Sequence, residues 1–203
     1  MGNKLILVEP ATIAAWAVLF GMSGGCWAPD TREPRGALAV AAEAVEAGEP
    51  RRLFRVIDQR SRHALAAIQQ ARAEAAGLIR TDYPTAAQAD ALAALGDAAL
   101  AADIPDLFER RCPTSCQAEL GALLGAPVQE RAVEGDAGPE LEIETATGSR
   151  VRLYKGSDGH YGIVFRRAEL YEERDRAARE LEQIRQNAEV YRKRKALEAA
   201  QGQ

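Results

Sequence analysis

Apolar positions along the chain follow three spacings, and each predicts a different kind of element. An uncharged run of 12 residues, 11–22, comes first. From residue 34 onward apolar side chains recur every three or four positions, the period of amphipathic helices. From Val128 the period falls to two, the period of half-buried strands. Beyond Tyr171 the helical spacing returns and continues to the end.

Turn and cap residues divide the first helical stretch. Asp30 or Thr31 caps a helix with Pro34 in its first turn, Gly48 as its stop and Leu38, Ala41, Ala42 and Val45 as its stripe. Pro50 opens a short helix over 51–57 with Leu53, Phe54, Val56 and Ile57 inward. Asp58 or Ser61 caps a third helix carrying Leu65, Ile68, Ala75 and Leu78. Tyr83-Pro84 ends it, and Thr85 caps a fourth with Leu92 and Leu95. Gly96 and Pro105 separate shorter pieces. A last helix over 114–124 ends at Gly125, with Pro127 beyond.

The strands can be paired from the sequence. Residues 128–133 form a first strand. Leu141-Glu142-Ile143-Glu144-Thr145 and Arg150-Val151-Arg152-Leu153-Tyr154 alternate cleanly. A three-residue loop, Ala146-Thr147-Gly148, puts glycine where left-handed backbone is needed. That register sets Ile143 against Val151 and Leu141 against Leu153 on one face, Glu144 against Arg150 and Glu142 against Arg152 on the other. A second loop, Ser157-Asp158-Gly159, sets Leu153 against Ile163 and Val151 against Phe165. The predicted sheet is a meander of three or four antiparallel strands with one apolar face for the helices to cover. The fold class is α+β, closed by a long C-terminal helix whose Ala177, Leu181, Ile184, Ala188 and Tyr191 form a heptad seam. Glu172, Glu173 and Asp175 at its start and Arg192-Lys193-Arg194-Lys195 near its end both suit the helix dipole. The seam either packs back on the domain or serves a coiled-coil partner. The basic run is either a solvated helix end or a contact for anionic lipid or an acidic polymer.

Charge and cysteines change this picture most at the N-terminus. The run over 11–22 is too short to span a bilayer, which takes about 20 apolar residues, and has the length of a signal-peptide core. Lys4 supplies a thin positive flank, and Ser23-Gly24-Gly25-Cys26 follows. This arrangement resembles the lipobox of bacterial lipoproteins, whose cysteine accepts diacylglycerol and becomes the new N-terminus. It departs from that pattern at Ser23, where Leu is usual, and at Glu9 and Pro10, which interrupt the run into the core. Plain cleavage, an uncleaved anchor and a buried helix are the alternatives. The resemblance implies lipid attachment at Cys26 and a cell-envelope address facing the periplasm. Trp27 rather than Asp after the cysteine points toward the outer membrane under the sorting rule of enteric bacteria. The implied organisation is a signal over 1–25, a tether over 26–33, an α+β domain over 34–168 and a charged helix over 169–203.

With Cys26 acylated, Cys112 and Cys116 remain as an even pair, which suits an oxidising compartment. Pro113 favours a helix start there, with Thr114 and Gln117 as a capping box. Cys112 would then lie outside the helix and Cys116 in its first turn, where a disulfide can close. Free thiols, a redox pair or a metal site are the alternatives. Only two histidines exist, His63 and His160, both far from the cysteines in sequence.

The 178 residues from Cys26 onward suffice for one domain and an appendage, and a net charge of −4 gives no case for nucleic-acid binding. No phosphate loop, nucleophile elbow or zinc-protease motif appears, and no cofactor or catalytic residue is assigned. His63 early in its helix reads as exposed, and His160 as a hairpin flank. Arg51, Arg52, Arg55, Arg60 and Arg62 cluster locally, for a polyanion or, more simply, for salt bridges with neighbouring acids.

Element order and three segments carry a wider resemblance. They are Ser23-Gly24-Gly25-Cys26, the run 44–54 around Gly48, and the run 155–164 around Asp158-Gly159-His160-Tyr161, followed by the helix from Tyr171. Together they resemble an uncharacterised lipoprotein family of Gram-negative bacteria with a nuclear transport factor 2-like, cone-type domain. His160-Tyr161 stands where that pattern usually has Trp. The first reading is a membrane-tethered, non-enzymatic binding or structural module, with an envelope protein as partner through the C-terminal helix or an apolar ligand between helices and sheet. The alternatives are a small-molecule enzyme, which on a cone-type fold has an acid–His or acid–Tyr pair inside a pocket, and a coiled-coil partner-binding protein using Leu181, Ile184 and Tyr191.

Overall fold

Prolines decide where the N-terminal helices begin. The computed structural model describes residues 29–135 and 138–201, so the run over 11–22, Cys26 and Trp27 lie outside the described residues. Helix α1 spans Pro34–Glu46. A residue before proline is kept out of the helical region, so Glu33 is extended (φ −104°, ψ 138°) and holds the cap position without a side-chain bond. Neither Asp30 nor Thr31 caps α1. Asp30 instead folds the preceding turn, its carboxylate accepting the Arg32 N–H at 2.9 Å and its carbonyl the Glu33 N–H at 3.0 Å. The same displacement occurs twice more. Pro84 and Pro113 take the cap positions of α4 (Thr85–Ala94) and α6 (Thr114–Leu123), and Thr85 and Thr114 become first helical residues. The expected Thr114–Gln117 box therefore does not form; the Gln117 amide donates to the Cys112 carbonyl at 3.2 Å.

At the end of α1, Gly48 (φ +65°) supports paired closing bonds, Gly48 N–H to Val45 at 3.1 Å and Glu49 N–H to Ala44 at 2.8 Å. Ala44 takes the inward place expected of Ala42, which is exposed. Helix α2, Pro50–Arg55, stops two residues short of expectation because Ile57 leaves to bridge Ile163 in parallel. The Asp58 N–H reaches the Ile163 carbonyl at 2.8 Å, and the Ile163 N–H reaches Val56 at 2.8 Å. Helix α3 then runs Gln59–Asp82, capped by Asp58 as expected. A 3-10 turn over Asp97–Leu100 and α5 (Ile104–Arg111) complete the helical part.

The sheet has four antiparallel strands in sequence order, β1 (Pro127–Gly135), β2 (Gly138–Thr145), β3 (Arg150–Lys155) and β4 (Tyr161–Ile163). The register of β2 on β3 is the expected one, with Ile143 opposite Val151, Leu141 opposite Leu153, Glu142 opposite Arg152 and Glu144 opposite Arg150. Leu153 faces Ile163, and Gly148 and Gly159 take left-handed backbone in their three-residue loops. The ladder ends at Ile163, so Val151 and Phe165 do not pair, although Phe165 stays buried. Strand β1 is longer than its predicted span and shifts register between Pro127 and Gln129; most of it is exposed.

Ile143, Val151, Leu153 and Ile163 form the apolar face, packed against Leu38, Leu53, Leu65 and Phe108. Phe108 contacts both Phe54 and Phe165, with ring centroids 5.7 and 5.3 Å apart. A smaller cluster, Ala75, Ala76, Ile79, Leu95 and Leu181, joins α3 and α4 to α7 (Arg167–Gln201). Pairs at matching heights, Asp58–Arg167, Arg72–Glu180, Glu74–Arg185 and Asp82–Arg192, make α3 and α7 parallel. The heptad seam faces α3, with Ala177, Leu181 and Ala188 buried and Tyr191 set edge-on to Tyr83 at 4.9 Å. Beyond Arg192 the residues of α7 are exposed, with Arg194, Lys195 and Glu198 across an open cleft from the turn at Tyr83–Thr85.

Candidate functional site

The first residues of α3 and α7 meet beside Tyr154 and Gly162, and polar side chains concentrate there. Tyr154 pairs with Gly162 across β3 and β4, and extending the β2–β3 register by one residue past Leu141–Leu153 puts Glu140 in the same row. A side chain at Gly162 would lie 2.6 Å from the Asp58 Cα, so only glycine lets the start of α3 close over this row. Asp58 is fully buried. Its Oδ1 accepts the N–H groups of Arg60 at 3.0 Å and Ser61 at 3.2 Å, and its Oδ2 accepts the Ser61 hydroxyl. Arg166 (φ +40°) turns the chain into α7, and Arg167 follows with its side chain 4% exposed.

Arg167 joins the three elements. One guanidinium nitrogen donates to Asp58 at 3.1 Å and the other to Glu140, while the guanidinium lies 5.4 Å from the Tyr154 ring centroid. Arg60 covers the same ring at 4.4 Å. Burial pulls the Arg167 pKa down; the Asp58 and Glu140 carboxylates outweigh it and hold the pKa above its ordinary value. Through these two acids Arg167 clamps the start of α7 to the start of α3 and to β2. The Arg167 Nε is buried without a partner.

A cleft of about 230 Å³ opens beside the clamp, where the chain before α1, the start of α3 and the β3–β4 hairpin meet. Arg55, Gln59, Arg62, Asp158 and His160 line it with Thr31. The Thr31 carbonyl accepts the Tyr161 N–H at 2.7 Å, and its hydroxyl lies 2.6 Å from His160 Nδ1. Gln59 fixes the hairpin tip by accepting the Ser157 N–H at 3.0 Å.

The residues singled out in the sequence fall in different places. Cys112 and Cys116 close a disulfide, with sulfurs 2.12 Å apart and Cα atoms 4.9 Å apart, linking the end of α5 to the first turn of α6. His63 is exposed on α3, and the His160 ring is held by Thr31. The arginine cluster divides. Arg51 faces Asp103 and Glu109, Arg52 faces Glu43 and Glu49, and Arg60 covers Tyr154, whereas Arg55 and Arg62 line the cleft. The basic run Arg192 to Lys195 is exposed. Among the described residues no group of three His, Cys, Asp or Glu side chains is placed to hold a metal, and no helix is long and apolar enough to cross a membrane. Where a cone-type fold would place an apolar ligand, between helices and sheet, Leu53, Phe108, Ile143 and Leu153 fill the space.

No protein-family model, no curated protein and no solved structure matches this chain. The resemblance to cone-type lipoproteins therefore rests on the element order and the quoted segments alone. Sequence reasoning missed Arg167, because an arginine after a strand and beside Arg166 looks like a surface charge. The position of Glu140 in one row with Tyr154 was the available signal.

Proposed function

We propose that the chain is a lipid-anchored protein of the cell envelope, attached through Cys26, and that its folded body is a non-enzymatic binding or structural module. The observation that carries this reading is the closed Cys112–Cys116 disulfide. Structural disulfides persist in oxidising compartments, and this pairing leaves Cys26, directly after Ser23-Gly24-Gly25, as the cysteine available for acylation. The start of the body adds support. Thr31, five residues after Cys26, is already fixed to β4, so the tether is short. In this reading the folded body faces the periplasm, and the sorting rule favours the outer membrane as its anchor.

The non-enzymatic part follows from the clamp. The buried acids Asp58 and Glu140 serve Arg167, and the interior is filled. The cone-type ancestry is part of the same proposal, as a four-stranded form whose pocket has been closed by Phe108 and its neighbours.

Fractionation tests the anchor. The wild-type chain is expected in the membrane pellet and to leave it only with detergent. Cys26→Ala is expected to abolish detergent-dependent release of a processed form. Identical behaviour of the two would remove the lipid anchor from the account.

A further inference from the structure

We propose that the cleft between the start of α3 and the β3–β4 hairpin binds the oxyanion group of a small ligand, a phosphate or a carboxylate. Two arginines face it with one carboxylate, Asp158, leaving an excess of positive charge. Arg51 and Arg52 on the same helix turn each face two acids, but Arg55 has no ion pair among the described residues. The nearest acid to Arg62 is Asp158 at 3.9 Å, beyond hydrogen-bond reach, and the Arg62 Nε is shut off from solvent without a partner. The planar fork of a guanidinium fits an oxyanion.

Neutral donors complete the wall. The Gln59 carbonyl is spent on the Ser157 N–H, so its amide NH2 remains as the donor. Thr31 and His160 add a hydroxyl and an imidazole and hold each other at 2.6 Å. Thr31 and Tyr161 are joined through their backbones, which fixes the wall before any ligand arrives. At about 230 Å³ the cleft is smaller than the ~300–1,000 Å³ typical of drug-sized sites and suits a single headgroup.

The oxyanion has two sources, a free solute or a lipid headgroup. Thr31 is the fifth residue after Cys26, a reach of at most roughly 17 Å. A headgroup is therefore within range if the anchored reading holds; the anion site itself does not depend on it.

Calorimetric titration of the purified full chain in a neutral detergent, at constant ionic strength, tests the site with inorganic phosphate and with acetate. Saturable binding of at least one anion is expected. Arg55→Ala and Arg62→Gln should each weaken it by about tenfold or more, the worth of one charge-assisted bond. Arg51→Ala, outside the cleft, should leave it unchanged. Absence of saturable binding, or an equal loss in Arg51→Ala, overturns the proposal. Arg55 is exposed, so its variant keeps the fold and decides the matter if Arg62→Gln destabilises the chain. Flotation of Cys26→Ala with phosphatidylcholine vesicles separates the sources. Flotation that requires added phosphatidylglycerol and Arg55 assigns the site to a headgroup, and no flotation with phosphate binding intact assigns it to a solute. The titration does not involve Cys26, so its failure and failure of the anchor are distinguishable.

Discussion

Arg167 and Arg192 stand at opposite ends of one helix pair and teach opposite lessons about charge. At the sheet end Arg167 is 4% exposed and joins two buried carboxylates. At the far end Arg192 is 60% exposed and lies 3.7 Å from Asp82. The difference lies in solvent. A buried cation that loses its place leaves uncompensated charges in a poorly solvated site, whereas an exposed cation beside a half-buried acid exchanges one partner for water. The sheet end also holds Thr31, fixed to β4, and the cleft. The far end is a solvated helix tip.

Arg167→Ala should break the comparison most visibly. It leaves Asp58 and Glu140 buried without their cation and is expected to lower unfolding free energy by about 3–5 kcal/mol in urea melts. A loss below about 1 kcal/mol would mean that the clamp is ornamental. Reduction of Cys112–Cys116, which closes a short loop within the body, is expected to lower stability by about 2 kcal/mol, read as the shift between melts with and without reductant. Arg192→Ala should cost no more than about 1 kcal/mol. Ending the chain after Tyr191, which removes only exposed residues of α7, should likewise leave the melting temperature nearly unchanged.

The smallest effect concerns acid. The Asp106 carboxyl is held below its ordinary pKa, first by the Ala102 N–H at 2.8 Å and then by Arg110, against the opposing effect of burial. A depressed folded-state pKa contributes stability at pH values above the unfolded-state pKa and loses it as pH falls through the folded-state pKa. Thermal melts of Asp106→Asn should therefore decline less than wild type between about pH 5 and pH 2. A parallel decline would remove Asp106 from the acid response.

The same contrast governs what the sequence disclosed. Elements whose neighbours are local in sequence were legible. The hairpin registers followed from alternation plus Gly148 and Gly159, the seam of α7 followed from its heptad spacing, and the Cys112–Cys116 bridge was foreseen among other thiol chemistries. Helix starts at Thr85 and Thr114 were misplaced by one residue because the preceding proline's fixed backbone outranked side-chain capping. The site was not legible. Thr31, Arg55, Arg62 and His160 come from segments far apart in sequence, and heptad spacing gives a helix its face but not its partner, so the parallel pairing of α3 with α7 had no local signal. Arg167, Glu140 and Asp58 each read as ordinary surface or cap residues until the row through Tyr154 and Gly162 brought them together.

The central claim is that this body is held to a membrane through Cys26, and the intact mass of the chain extracted from membranes by detergent tests it most directly. The account predicts a polypeptide that begins at Cys26 and carries the added mass of a diacylglyceryl group. A chain that begins elsewhere, or that begins at Cys26 without acyl groups, would contradict it.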